Sequence, residues 1–327
     1  MKIIETIADL AKIPTGCVLT IGNFDGVHIG HQHILSAAGR IAAEKEVELA
    51  AMTFEPHPAA VLHPEKSPPV LTSLKLKTRL LAGCGVQCLI VLKDSSELMQ
   101  LSPRQFVEEF LVGGVRPAVV VEGEDFNFGF NRTGNVHTLR SLGLEKGFAV
   151  VAIESKRVKL SIGGAVRVSS TLIRNLLQAG KVADAAVALT RPYRLMGPVI
   201  AGEGRGAKLG FPTANIQPTR QIIPADGVYA AFVQIGDTAQ RLCRIEKGLP
   251  AAVSIGSAET FGTDRARLVE AHILAGGIRN LHSQYLAVDF VRRIRDQQSF
   301  AAETDLAEQI AKDCHIAKEI LNTGFTN

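Results

Sequence analysis

Apolar and polar positions follow two rhythms along the chain, and the change of rhythm divides it. Up to about Leu189, short apolar runs at Cys17–Ile21, Glu48–Phe54, Cys88–Leu92, Ala118–Val121 and Phe148–Ile153 alternate with stretches of helical spacing. Near-continuous apolar runs of this length between amphipathic helices predict buried strands of a parallel sheet with helices on both faces. After the helical stretch Val182–Leu189, Arg191-Pro192 breaks the pattern. Downstream, alternating runs at Tyr193–Ile200, Gly227–Ile235, Arg267–Leu274 and Tyr285–Val291 are separated by Gly, Pro and Asp. That spacing predicts a small antiparallel barrel or sandwich. Leu306, Ile310, Cys314, Ala317 and Leu321 recur at helical intervals, so Glu303–Leu321 is expected to close the chain as a helix packed on the barrel. The expected domains are residues 1–190 and 191–327.

Composition narrows the class. The 327 residues exceed a comfortable single core, and 46% hydrophobic with 21% charged residues fits a globular protein with sizeable interiors. The formal net charge is only +4, with basic residues interspersed among 32 acidic ones, which argues against a nucleic-acid partner. Lys156-Arg157-Val158-Lys159 is the densest basic cluster, and its alternation reads as a solvated strand face. Five scattered cysteines (Cys17, Cys84, Cys88, Cys243, Cys314) suit free thiols in a reducing compartment. No run approaches the roughly 18 apolar residues of a membrane span, so the expectation is a cytoplasmic protein without a membrane partner. Self-association is left open.

The first predicted strand runs into Gly22-Asn23-Phe24-Asp25-Gly26-Val27-His28-Ile29-Gly30-His31, with helical spacing from His31. Glycines let backbone approach a ligand, and a helix N-terminus favours an anion. His28 and His31 are placed to donate to a phosphoryl oxygen as charge builds on it, which implies attack at a nucleotide phosphate. A zinc pair and two incidental loop histidines are the competing readings; no Cys or acidic residue stands nearby at zinc-ligand spacing. Ligands of parallel sheets bind at the carboxyl ends of strands. The Phe54-Glu55-Pro56-His57-Pro58 and Glu122-Gly123-Glu124-Asp125 turns are expected at the same edge. Val168-Ser169-Ser170-Thr171-Leu172-Ile173-Arg174 places hydroxyls at a helix start with an arginine one turn in. These read either as ordinary caps or as further phosphate ligands with a second cation.

The second half opens with Gly202-Glu203-Gly204-Arg205-Gly206-Ala207-Lys208-Leu209-Gly210-Phe211-Pro212-Thr213-Ala214-Asn215. It is not a P-loop, because Lys208 lacks a following Ser or Thr, and it is a weak dinucleotide fingerprint, because no helix is expected after it. Thr213 and Asn215 offer the hard oxygens that Mg²⁺ accepts beside nucleotide phosphates, although turn chemistry explains the glycines and prolines equally well.

Together these segments resemble the bacterial bifunctional riboflavin kinase/FAD synthetase family over nearly the whole length. The resemblance rests on Gly22–His31, Phe54–Pro58, Asp125–Gly129, Ser169–Arg174, Gly210–Asn215 and Gly227-Val228-Tyr229, which match in order and spacing. It implies an α/β nucleotidyltransferase domain with a Rossmann-like parallel sheet that makes FAD from FMN. A small antiparallel flavokinase β-barrel with a C-terminal helix, making FMN from riboflavin, would follow it. ATP is the implied co-substrate and Mg²⁺ the implied cofactor.

Carried over, the adenylyl-transfer site falls on His28, His31, His57, Asp125, Ser170, Thr171 and Arg174, with Gly22, Asn23, Phe24, Asp25 and Gly30 in the nucleotide-binding turn. In the kinase half the resemblance assigns Gly210 and Pro212 to nucleotide or flavin and Thr213 and Asn215 to Mg²⁺. Glu270 of Leu268–His272 becomes the general base for the ribityl hydroxyl. The chain departs from the family pattern at Ser257-Ala258-Glu259-Thr260, where a Pro-Thr step is usual, and at Leu281-His282-Ser283, where Leu-Tyr-Gly is common. These departures keep open adenylyl transfer alone with a degraded kinase site; a flavin-binding protein in which neither site turns over is a separate alternative.

Overall fold

The computed structural model describes residues 1–57, 60–61, 65, 67–93, 96–161, 163–202, 205–217, 220–244, 246, 248–257, 267–275, 281 and 283–323. Of the sequence motifs, Pro58, Glu203, Gly204, Ala258, Glu259, Thr260 and His282 lie outside these residues. Packing separates two compact units. One comprises Met1–Pro68, Lys77–Lys159 and Gly164–Ser169; the other comprises Pro69–Leu76, Leu160–Gly163 and Ser170–Asn327.

The first unit is built on β1 (Lys2–Ile4), β2 (Val18–Ile21), β3 (Leu49–Phe54), β4 (Cys88–Leu92), β5 (Val119–Gly123) and β8 (Ala149–Ile153). They form one Rossmann-like sheet in the order β1-β4-β3-β2-β5-β8, every neighbouring pair parallel. The inner strands β2, β4 and β5 are buried at every residue, which is why their sequences are mostly apolar, with Thr20 and Glu122 the buried polar exceptions. β1 is an edge strand of three residues, too short to leave a periodic signal. Helices α1 (Ile29–Glu44), α2 (Leu74–Gly83) and α3 (Val136–Lys146) supply crossovers, while β6 (Asn127–Phe128) pairs with β7 (Gly134–Asn135), and β9 (Arg157–Lys159) with β10 (Ala165–Arg167). Arg157 and Lys159 are exposed on the β9 hairpin, the solvated face that the alternation predicts.

The strand order reverses at β2: the chain builds outward through β3 and β4, then returns to β2's other side as β5. At such a reversal, crossovers leave in opposite directions and open a crevice at the carboxyl edge. Here the β2–β5 ladder is recorded at Val18↔Val119 and Leu19↔Val120. Beyond it, Ile21 N donates to Oε1 of the Glu122 carboxyl at 2.5 Å. Glu122 is only 2% exposed and belongs to β5, so the turn expected to begin there starts instead at Glu124.

The second unit contains α4 (Ser170–Gln178), α5 (Val182–Leu189) and a closed barrel. Its strands are β11 (Tyr193–Ile200), β12 (Ala214–Ile216), β13 (Gly227–Gly236), β14 (Leu249–Ser257), β15 (Arg267–Ile273) and β16 (Tyr285–Arg295). They run in the antiparallel cyclic order β11-β12-β15-β14-β13-β16. Closure decides between the barrel and sandwich expectations and removes free edges. Strand β12 has three residues, and β14 carries Pro250, Ala251 and Ala252, so neither shows a strong β-branched alternation. The arc after β11 contains one helical turn, Arg205–Lys208, where no helix was expected.

Two charged pairs fasten this unit. Arg194 and Asp289, cross-strand partners on β11 and β16, meet through Nε at 2.7 Å and Nη2 at 2.5 Å; Nη1 donates to Leu242 O at 2.6 Å. The closing helix α6 (Glu303–Asn322) lays Cys314, Ala317 and Leu321 on Ala230 and Ala252 of the outer wall. Asp313 on α6 takes a forked contact from Arg295 of β16, Nε to Oδ1 at 2.9 Å and Nη2 to Oδ2 at 2.7 Å. Asp313 is 3% exposed and the Arg295 side chain 16%, so removing the carboxylate leaves a mostly buried guanidinium without its counter-charge.

Asp313→Ala is therefore expected to cost about 3 kcal/mol of barrel stability, measured by urea denaturation; an unchanged midpoint would contradict the docking role. Glu122 gives a second test. Burial pushes its carboxyl well above the ordinary range; the Ile21 N–H opposes that rise and Asp125 adds to it. The folded protein thus holds a proton that the unfolded chain releases first, so this group's contribution is full at low pH and is lost as pH rises. The melting-temperature gain of Glu122→Gln over the native protein should grow between about pH 5 and about pH 8. A constant difference would show that the carboxyl is not held neutral.

Candidate active sites

The turn after β2 is set by close packing. Phe24 and Val27 adopt φ of 46° and 41°, a region that L side chains rarely occupy, and Val27 N closes the turn on Phe24 O at 3.1 Å. Phe24 is 1% exposed and meets the His31 ring edge-on at a centroid separation of 5.3 Å, so its burial helps hold the strained turn. The helix starts at Ile29, two residues earlier than expected, because His28 is its N-cap: His28 Nδ1 accepts from His31 N at 3.3 Å. An accepting Nδ1 leaves the proton on Nε2, the tautomer that can donate to a ligand. The two imidazoles stack at 3.6 Å and 17°.

A Cβ at residue 30 would stand 3.1 Å from the His28 ring, so only glycine fits the stack without displacement. Burial pushes His31 well below its ordinary pKa, with His28 and Lys77 adding to the effect, which favours the neutral imidazole. Its Nδ1 has no hydrogen-bond partner among the described residues, and neither has the buried Asn23 Oδ1. No acidic residue occupies the first turn of α1, so the positive end of the helix dipole has no side-chain anion there.

The other residues expected at this edge divide. Gly22 and Asn23 are half-buried, and Gly22 N donates to Met52 O at 2.9 Å, continuing the pairing of β2 with β3. Asp25 is 3% exposed in the His28 turn, and His57 lies half-buried after β3. Asp125, in the turn after β5, is exposed and ion-paired with Arg167. Since β3, β2 and β5 are parallel neighbours, these turns share the carboxyl edge of one sheet. Ser170, Thr171 and Arg174 belong to the second unit, on the first turns of α4; Arg174 Nε donates to Pro69 O at 2.8 Å.

One group at the sheet edge escapes a sequence reading. Lys77 of α2 is 5% exposed, and its ammonium lies 3.5 Å from Thr53 Oγ1 and 4.0 Å from Glu55 Oε2. Burial lowers its pKa against the opposing pull of Asp25 and Glu55. The clue in the sequence is its position, four residues into the helix that follows β3 and on the same stripe as Leu81, but a lone lysine among Lys75 and Arg79 gives no reason to single it out.

In the barrel, Asn215 pairs with Glu270, and Glu270 pairs with Ser254, across β12, β15 and β14. Opposed residues of an antiparallel ladder share a face. Val269 and Ala271 fill the interior, so Glu270 stands on the outer wall. Asn215 is 6% exposed, with Oδ1 unpartnered among the described residues. A Cβ at residue 202 would overlap Asn215 Nδ2 at 1.6 Å, so the arc backbone lies directly against this amide. Gly210, Pro212 and Thr213 are exposed on the return of the arc, and His272 Nδ1 meets Pro212 O at 2.8 Å. An orphaned buried oxygen opposite a carboxylate fits a hard cation. Among the described residues no three His, Cys, Asp or Glu groups cluster as a metal cage, so a cation here would rely on Thr213 and Asn215 oxygens, water and nucleotide phosphates. No described helix is long and apolar enough to cross a membrane.

Comparison with known proteins gives both halves a counterpart. A family model described as FAD synthetase matches residues 10–172, and one described as riboflavin kinase matches residues 189–321. The bifunctional riboflavin kinase/FMN adenylyltransferase of Escherichia coli K12 is 35% identical over 320 residues, 98% of this chain and 97% of that protein. The Pseudomonas fluorescens protein of the same description is 34% identical over 98% of each chain. A solved structure from Streptococcus pneumoniae, described as a macrolide-efflux protein, superposes with a TM-score of 0.83 at 26% identity, covering 97% of this chain and 98% of that one. With both models matched in order and relatives similar over nearly their full length, the chain belongs to the bifunctional riboflavin kinase/FMN adenylyltransferase family.

Proposed function

We propose that residues 1–190 adenylylate FMN around the His28 turn and that residues 191–327 phosphorylate riboflavin on the barrel's outer wall. The extents of the two matched families support this division. The observation that carries the first assignment is the His28–His31 stack at the head of α1. It presents imidazole N–H groups and a helix whose first turn carries no acidic side chain at the carboxyl edge of β2.

In this reading the polyphosphate of ATP lies on the turn Gly22–His31. An FMN phosphate oxygen attacks the α-phosphorus in line, the bond to the β-phosphate bridging oxygen breaks, and pyrophosphate leaves. Negative charge then gathers on the departing group, where His28 Nε2–H and neutral His31 donate without needing to be imidazolium. Asn23, Phe24, Asp25 and Gly30 shape the turn. His57 and Asp125 lie at the same edge, and the family resemblance adds Ser170, Thr171 and Arg174 to this step.

In the kinase half, Glu270 withdraws the proton from the ribityl hydroxyl as it attacks the γ-phosphorus, and ADP leaves. Thr213 and Asn215 would hold Mg²⁺, which when bound neutralises charge on the nucleotide phosphates. Gly210 and Pro212 border the nucleotide or flavin.

The assay supplies riboflavin, ATP and Mg²⁺ and separates products by chromatography. The native protein should yield FMN and then FAD. His28→Ala should lower FAD formation about a hundredfold and spare FMN formation. Glu270→Ala should lower FMN formation at least about a hundredfold and spare conversion of supplied FMN. Equal loss of both steps in either variant would overturn the two-site division; a native protein that makes FAD only from supplied FMN would overturn the kinase assignment.

A further inference from the structure

Lys77 has the profile of a residue waiting for an anion. Its side chain is 6% exposed, yet the ammonium makes a single long hydrogen bond among the described residues, 3.5 Å to Thr53 Oγ1. Thr53 already spends its own proton on Asn23 O at 3.1 Å, so it can only accept from Lys77. Glu55, 37% exposed in its side chain, stands 4.0 Å away, at the outer limit of an ion pair. An ammonium has three N–H donors, and leaving them unmet in a buried place is costly. A lysine kept here for stability alone would be expected to close on a carboxylate and collect further acceptors.

The surroundings supply the direction. Asn23, whose carbonyl anchors Thr53, belongs to the nucleotide-binding turn, and its own buried Oδ1 lacks a partner among the described residues. The Lys77 charge adds a smaller push against protonation of the His31 imidazole, and His31 Nδ1 has no partner among the described residues. Lys77 and His31, two groups that can donate to an anion, are thus incompletely satisfied near the carboxyl ends of β2 and β3. Phosphoryl oxygens would accept from the ammonium and from an imidazole N–H together.

We propose that Lys77 is a phosphate-binding residue of the adenylyl-transfer site, its buried ammonium taking a phosphoryl oxygen of the reacting nucleotides. The inference rests on placing adenylyl transfer at the His28 turn and adds a cation that the family motifs do not mark. The same chemistry is offered by the polyphosphate of ATP, which becomes pyrophosphate, and by the terminal phosphate of FMN, and the experiment separates them.

Lys77→Met in the full chain keeps the apolar stem and removes the charge. Because a poorly solvated charge disappears, the melting temperature should hold or rise, while FAD formation from supplied FMN falls about a hundredfold and FMN formation from riboflavin is unchanged. A raised KM for ATP, with loss of the thermal shift given by inorganic pyrophosphate, assigns the oxygen to the polyphosphate. A raised KM for FMN with that shift retained assigns it to the FMN phosphate.

Lys77→Arg should recover part of the activity that Lys77→Met loses. If Lys77→Met does not fold, Lys77→Gln is read by the same pyrophosphate shift and the same two KM values. Unchanged KM values and pyrophosphate shift in a folded variant would overturn the proposal and leave Lys77 a structural residue. Failure of the underlying reading looks different: His28→Ala would keep full FAD formation, whatever Lys77→Met does.

Discussion

The reversal of strand order at β2 is the constraint from which the amino-terminal site grows. Parallel strands must be joined by crossovers, and where successive crossovers leave in opposite directions the sheet cannot cover its own carboxyl edge. β3 flanks β2 on one side and β5 on the other, so the turns after all three strands reach that edge. The uncovered edge is then fitted with parts that a core would reject. Phe24 and Val27 occupy left-handed backbone, a carboxyl is buried at Glu122, an ammonium is buried at Lys77, and imidazoles stack at His28 and His31. Each costs stability, and the surrounding apolar strands over-determine the geometry enough to keep it.

The barrel solves a different problem. Its interior is filled by side chains such as Tyr229, Val253, Val269, Ala271 and Phe290, so a substrate cannot enter it. In the proposed reading the kinase chemistry falls to the outer wall, where Gly202 lies against the Asn215–Glu270–Ser254 row. The same wall, farther along, receives α6 through Ala230, Ala252 and the Arg295–Asp313 fork. The docked helix and the proposed kinase row thus share one face, with Ala252 under the helix and Ser254 two residues along the same strand.

Much of this was legible because the physics is local. Buried parallel strands are continuous apolar runs, and β4 falls on its expected bounds of Cys88–Leu92. The Cys314, Ala317 and Leu321 stripe of α6 buries against the barrel as its spacing requires. The illegible parts are those decided by partners distant in sequence. β1 is three residues long and exists because β4 offers it an edge. β12 owes its place to β11 and β15 rather than to its own pattern. Glu122 reads as a turn residue because carboxylates are rarely buried, and its hydrogen bond from Ile21 N follows only from the pairing of β2 with β5. Lys77 looks like any helical surface lysine until the fold closes over it.

A crystal structure of the protein with a non-hydrolysable ATP analogue tests the central claim most directly. The account places the polyphosphate at the head of α1, within hydrogen-bond distance of His28 Nε2 and the backbone of the Gly22–His31 turn. Phosphates lodged elsewhere, with the His28 and His31 rings turned away from them, would contradict it.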